Sequence, residues 1–294
     1  MTEKKKSGIA SLTLALISLV WGTSYAVTKD ILDVVEPFTL MMIRFVGATL
    51  FLSIIYYKKL FKINKTDLKS GLIIGLAMFG AFYTLIVGIQ YTAVSKQTFL
   101  IGSFVIIVPF LRWIINNKKP DFFAIIGAIL ALVGLAMLTL GGIEKFNRGD
   151  FFSLLCAVFF ALHMITIEKY CNDSDPIILS ILQFAVTGFI FILLSYKYES
   201  FNFSAMKNAK FSVAYLVLIS TVLAFLVQNI VQKFISSTSV ALILTLESAF
   251  GSVFAVYYLG EQMSTTMVVA CTIILTGIII QETKLEFLKK VRSR

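Results

Sequence analysis

Apolar runs of nearly equal length, separated by short polar interruptions, fill almost the whole chain. They fall at 9–28, 38–57, 71–91, 96–115, 121–140, 151–170, 176–196, 211–232, 238–259 and 265–282. A helix needs about 20 apolar residues to cross a hydrocarbon core of about 30 Å, so each run predicts one spanning helix. The interruptions at 92–95 and 233–237 leave room only for tight hairpins. No polar stretch could hold a soluble domain, and the pattern predicts an all-α integral membrane protein built as one unit.

The pattern also repeats. Pro37, Leu40, Phe45 and the pair Tyr57-Lys58 recur in register as Pro176, Leu179, Phe184 and Tyr196-Lys197. In a slightly longer register Ser95 falls on Thr238 and Gly134 on Gly277. Each copy carries five runs, and an odd number of spans turns the second copy over. The expectation is ten transmembrane helices as two inverted five-helix repeats, at 1–142 and 149–283, with a basic cytoplasmic tail at 284–294. Inverted repeats of this kind are a recurrent plan of secondary transporters.

Composition agrees. Of 294 residues 58% are hydrophobic and only 14% charged, against about 25% in soluble domains. Mean hydropathy is +0.90. The net charge of +10 does not point to nucleic acid, because the cations sit at the ends of apolar runs rather than on one face. Their distribution sets orientation. With both ends cytoplasmic, the inner side receives Lys4–Lys6, the group from Lys58 to Lys69, Lys118, Lys119, Lys169, Lys233 and the tail. The outer side receives the smaller set Lys29, Lys96, Lys145, Arg148, Lys197, Lys207 and Lys210. The N-terminal run behind Lys4-Lys5-Lys6 is too long for a secretory signal and predicts an uncleaved first helix. Cys156, Cys171 and Cys271 have no metal-ligand or disulfide spacing, and neither a metal nor a cofactor is expected.

Polar groups inside the runs are the candidate chemistry, since a charge at the middle of a span costs roughly 2.5–3.5 kcal/mol on insertion scales. Glu247 lies deep in the ninth run, beyond reach of either surface: a cavity carboxylate that binds substrate or the coupling proton, or a buried structural carboxyl. Arg44 lies inside the second run, able to snorkel, to hold an anionic group or to pair with Glu247; its counterpart is the neutral Gln183. His163 is the only histidine and a second candidate for the coupling proton. Its repeat counterpart is Ser24, in the polar and aromatic stretch Trp21-Gly22-Thr23-Ser24-Tyr25. Gln90 ends the third run, and Gln228, Asn229 and Gln232 form a polar segment in the eighth. Tyr83 and Phe104 complete the cavity candidates. Glu168, Lys169 and Glu261 read as interfacial charges with an alternative role as gates. Gly71, Gly75, Gly127 and Gly134 predict close helix packing.

These residues resemble the drug/metabolite transporter superfamily, in its EamA-like ten-helix branch, over nearly the entire chain. The markers are Trp21-Gly22-Thr23-Ser24, Pro37 with Arg44, Phe99-Leu100-Ile101-Gly102 to Val108-Pro109, Glu247-Ser248-Ala249-Phe250, Gly260-Glu261 and Gly277. The resemblance implies two five-helix bundles around a central cavity, lined by the first four helices of each repeat, with the fifth and tenth outside. Ser248 stands where proline is frequent, which implies a straighter ninth helix, and Ala270 where glycine is usual.

The expected function is a secondary transporter that moves small organic metabolites, amino acids first, outward across a bacterial plasma membrane by alternating access, with possible proton coupling. The expected partners are a small-molecule substrate and membrane lipid, with no nucleic acid, for a monomer or homodimer. An uncoupled channel or facilitator, or a receptor or structural subunit, is the alternative. No HExxH, GxSxG or facing pair of aspartates supports an intramembrane enzyme.

Overall fold

The structure is a computed structural model that describes residues 3–92, 94–139, 146–200, 209–258 and 264–284. Gly260, Glu261, Lys145, Lys207 and the tail from 285 onward lie outside the described residues. All regular structure among the described residues is helical: α1 (Glu3–Leu32), α2 (Pro37–Ile55, followed by the single turn Tyr57–Leu60), α3 (Lys65–Gly88), α4 (Val94–Gly102 and Phe104–Asn116) and α5 (Phe122–Thr139) in the first half. The second half has α6 (Arg148–Tyr170), α7 (Pro176–Tyr198), α8 (Lys210–Tyr215, Leu216–Leu223 and Ala224–Val231), α9 (Ser237–Leu244 and Leu246–Tyr258) and α10 (Thr265–Thr283). Eight of these helices are long and apolar enough to cross a membrane, and Phe122–Leu138 and Ser237–Gly251 are shorter apolar helices.

Local chemistry fixes the helix starts. Pro37 and Pro176 open α2 and α7, where a missing N–H costs nothing. Asn64 and Asp67 form a capping box on α3, and Asn147 and Asp150 do the same on α6. Ser236 and Ser264 cap α9 and α10 through the N–H groups of Ser239 and Met267. Large apolar side chains such as Leu12, Leu16, Ile54, Ile114 and Phe122 point outward, while Arg44, His163, Gln183 and Asn229 are buried. That is the inside-out distribution lipid demands.

The halves interlock across antiparallel seams. Lys59 pairs with Asp175, Phe45 lies 6.2 Å from Phe184 ring to ring, and Thr39 bonds Ser195, so α2 and α7 run in opposite directions. Glu199 at the end of α7 accepts from the N–H groups of Phe38 and Thr39, closing the first turn of α2. The α5–α10 crossing is tighter. A Cβ at Gly127 would lie 2.9 Å from the Gly277 carbonyl, and one at Gly134 would lie 2.7 Å from that of Ala270. In the repeat register Gly127 matches Ala270 and Gly134 matches Gly277, so the two contacts exchange under the repeat. Here glycine lets backbone touch backbone, as close packing without a hydrophobic drive requires.

Three spans depart from the continuous helices the apolar pattern predicts. α4 breaks at Ser103 and α9 at Thr245, positions that nearly coincide in the repeat register. At each break a hydroxyl bonds the carbonyl three residues back, Ser103 to Leu100 and Thr245 to Leu242, both at 2.6 Å. In α9 the interruption comes at Thr245, three residues before Ser248 and without a proline. The third departure is a π-helical stretch, Leu216–Leu223, in the middle of α8.

Candidate functional site

The breaks and the π-helical stretch border one cavity. Its volume is about 70 Å³, and it is walled by Trp21, Ser24 and Thr28 of α1, Met41 and Arg44 of α2, and Phe82, Leu85 and Ile89 around α3. Ile101 and Phe104 flank the α4 break, and Leu244 and Glu247 flank the α9 break. Phe160 and Met164 of α6 with Phe225 and Gln228 of α8 complete the wall.

Arg44 organises the wall. Its side chain is buried, its Nε–H donates to Thr221 Oγ1 (2.5 Å) and its Nη2 to Ser220 Oγ (2.9 Å). Both hydroxyls belong to the π-helical stretch, and the Thr221 hydroxyl donates in turn to the Leu216 carbonyl five residues back. The wider turn thus brings two consecutive hydroxyls onto one guanidinium edge. The guanidinium carbon lies 5.1 Å from the centre of the Phe82 ring, a cation–π contact. Trp21 Nε1–H donates to the Ser220 carbonyl (2.9 Å), so α1 and α2 grip the same stretch.

Glu247 reaches the cavity because α1 and α9 touch at Gly22. A Cβ there would stand 2.7 Å from the Glu247 carbonyl, so the missing side chain lets the two backbones meet, and Glu247 lines the same wall as Trp21 and Ser24. One guanidinium and one carboxylate therefore line a wall that is otherwise mostly apolar and aromatic.

Of the sequence candidates, Trp21, Ser24, Arg44, Phe104, Gln228 and Glu247 meet at this wall. His163, Gln183 and Asn229 are buried but lie behind it. His163 Nε2–H donates to Gln183 Oε1 (2.9 Å), and Asn229 donates to Ser180 Oγ (2.7 Å). α7 supplies no wall residue among those described, contrary to the expectation that all four leading helices of each repeat line the cavity. Tyr83 stacks on Phe38 at 5.9 Å, away from the wall, and Gln90 is exposed past the end of α3. Tyr25 lies in α1, with its side chain outside the described residues. Met41, Phe82, Ser220 and Thr221 escaped the sequence reading. Only the adjacent hydroxyls of Ser220 and Thr221, inside an apolar run, hinted at their part.

Beyond the cavity, toward the start of α9, a second polar cluster closes the bundle. Glu168 of α6 takes Arg112 of α4 on both oxygens (2.8 and 2.9 Å), Lys118 at 3.2 Å, and the N–H and hydroxyl of Ser237 at 2.9 and 2.6 Å. The opposite end of the α4–α6 contact is tied by Lys96 to Asp150 (2.8 Å). Lys169 does not join the cluster and lies 5.8 Å from the Tyr170 ring centre.

Known proteins share this plan. A solved crystal structure of a protein superposes with a TM-score of 0.78 at 15% identity, over 96% of this chain and 99% of its own, a likeness of fold. An uncharacterized transporter of Archaeoglobus fulgidus is 32% identical over 95% of this chain and 87% of its own length. The uncharacterized transporter YoaV of Bacillus subtilis is 22% identical over 91% and 94%. The EamA-like transporter family model matches residues 8–140 and again 147–281. With both stretches matched, the chain belongs to the EamA-like transporter family and is a multi-pass membrane protein.

Proposed function

We propose that the protein is a secondary transporter of ten spans, with both termini cytoplasmic, exporting small organic metabolites, amino acids or their relatives first, from a bacterial cell. The halves 1–142 and 149–283 rock against each other around the cavity, as a monomer or homodimer. The observation that carries this reading is the cavity itself: it lies between helices of both halves, holds Arg44 and Glu247, and adjoins two helix breaks. The antiparallel α2–α7 and α5–α10 seams supply surfaces on which one half can move past the other. The cavity extends to Thr28 and Ile89, near the ends of α1 and α3, and the Glu168 cluster closes the other end. This favours a conformation open toward the side reached by α1.

In this reading Glu247 binds a cationic group or the coupling proton, and Arg44 contacts an anionic group of the solute. His163, the second candidate for the coupling proton, lies behind the wall in a hydrogen bond with Gln183. The first test compares metabolite pools in cells with and without the protein, then measures counterflow of the changed compound in proteoliposomes. Glu247→Gln should fold and lose proton-driven accumulation. Wild-type accumulation in that variant would remove Glu247 from coupling.

A further inference from the structure

The cavity holds one hydrogen-bonding atom whose chemistry can be read without ambiguity. Gln228 lines the wall, is 1% exposed, and its Oε1 has no partner. An amide can usually be turned over to exchange oxygen and nitrogen. Here a chain of bonds forbids the turn. Gln232 Nε2 donates to the Met164 backbone carbonyl (2.8 Å), and a carbonyl can only accept. Gln232 must therefore point its Oε1 the other way, and there it accepts from Gln228 Nε2 (3.1 Å). With its nitrogen committed, Gln228 has only its oxygen to offer. A buried acceptor without a donor costs about 1–3 kcal/mol, and this cost is recovered when a ligand supplies the donor. Arg44 cannot serve through its Nε and Nη2, which already bond Thr221 and Ser220.

We propose that Gln228 is a specificity-determining residue that reads an N–H donor on the solute, and that the solute class carries its amine on a small, largely apolar body. This rests on the transporter reading and sharpens it. Trp21, Phe82, Phe104 and Phe225 provide the surface for the apolar part. Glu247 in the same wall matches a nitrogen that is protonated at neutral pH. Gln232, outside the wall, is a positioning residue: it fixes which end of the Gln228 amide faces the solute.

The test uses the two tryptophans. With Trp113→Phe as background, Trp21 fluorescence in the cavity wall reports binding to the purified full-length protein. The probes are isopentylamine and isopentyltrimethylammonium, which share a tail and a charge but differ in N–H donors. The unaltered cavity should bind the amine about tenfold more tightly, the worth of one charge-assisted hydrogen bond. In Gln228→Met the ratio should fall by about that factor, so the Met variant measures what head-group size alone contributes. Gln232→Leu, which frees the amide to turn, should lower the ratio while leaving the wall intact. Gln228→Glu keeps an acceptor and should keep the preference. An unchanged ratio in Gln228→Met, or failure of the unaltered cavity to bind either probe, overturns the proposal. Saturable counterflow of a cellular metabolite alongside a flat probe ratio would sink Gln228 and leave the transporter reading standing. Absence of any counterflow alongside the expected ratio would do the reverse.

Discussion

Glu168→Gln should loosen the closed end of the bundle, and the structure sets the size of the effect. Glu168 Oε1 receives Arg112 and Lys118, while Oε2 receives Arg112 and two donors of Ser237. Glutamine has nearly the same shape but replaces one of those oxygens with an NH2 group. Whichever way the amide turns, donors then meet a donor, and the charge is gone. Removing one partner of a buried ion pair costs roughly 3–5 kcal/mol. The side chains of Glu168 and Arg112 are 8% and 16% exposed, but that of Lys118 is 58% exposed and adds little. Water can partly replace what is lost at this edge, so about 2 kcal/mol is a fair expectation, about thirtyfold in a two-state population. Cys171 supplies the readout. It is buried one turn beyond Glu168, and its thiol bonds the Gln232 carbonyl at the start of the α8–α9 connection. In a Cys156→Ala, Cys271→Ser background, a membrane-impermeant maleimide should label Cys171 up to about thirtyfold faster in Glu168→Gln, in proportion to the open population. Equal labelling in both proteins, with the variant otherwise folded, would refute the idea that this cluster holds α9 against α6.

Two further outcomes follow from packing and from charge. Gly134→Val should destabilise the protein by about 1–3 kcal/mol, because its Cβ meets the Ala270 carbonyl, which is backbone and cannot step aside. Gly8→Ala on α1, with open space around its Cβ, should instead be neutral or gain up to about 1 kcal/mol; thermal unfolding in one detergent compares the two. Asp175, at the head of α7, is subject to burial, which raises its pKa, but the hydrogen bond and charge of Lys59 together with the N–H groups of Ile177 and Ile178 outweigh that and hold the carboxyl below its ordinary value of 3.8. A lowered carboxylate pKa contributes stability that is present above the unfolded pKa and lost as pH falls through the folded one. Asp175→Asn can keep the cap on the Ile177 N–H, so its midpoint should change less than that of the unaltered protein below about pH 4. Parallel acid limbs in the two proteins would show that the pair contributes nothing.

What the chain reveals in advance depends on which force does the work. Membrane burial acts on every residue of a span, so the apolar runs, the repeat, the buried outliers Arg44 and Gln183 and the half-buried Glu247 are visible in sequence. A span that is apolar all round does not show which face meets a cavity. Tyr83 and Gln90 therefore look as suitable as Phe104, yet only Phe104 reaches the wall. The breaks at Ser103 and Thr245 are hidden for another reason: a hydroxyl bonded three residues back occurs in continuous helices too. The π-helical stretch of α8 holds Ser220 and Thr221 against an arginine on α2, and Glu168 finds Arg112 across the two halves. Such pairings are long-range facts, and no local pattern announces them.

The symmetry of the frame explains why its chemistry is asymmetric. α2 and α7 meet across a seam where Phe45 faces its own counterpart Phe184, one residue from Arg44 and Gln183 respectively. Two arginines in those positions would place like charges on either side of one buried seam, each with its own desolvation cost of several kcal/mol. Only the first half can offset that cost. Arg44 has Ser220 and Thr221 to receive it, whereas Gln183 turns to His163 within its own half. Phe104 and Glu247 divide in the same way, one apolar and one acidic at matching places beside the two breaks. Each half thus contributes one charge, of opposite sign, to a single wall rather than a full set to each of two. A repeat that kept its chemistry as faithfully as its helix contacts would bury twice the charge and still need a partner for it. The mismatched positions are therefore the ones through which a duplicated scaffold comes to hold one cavity, and Gln228 lines that cavity with a buried Oε1 that has no partner in the protein.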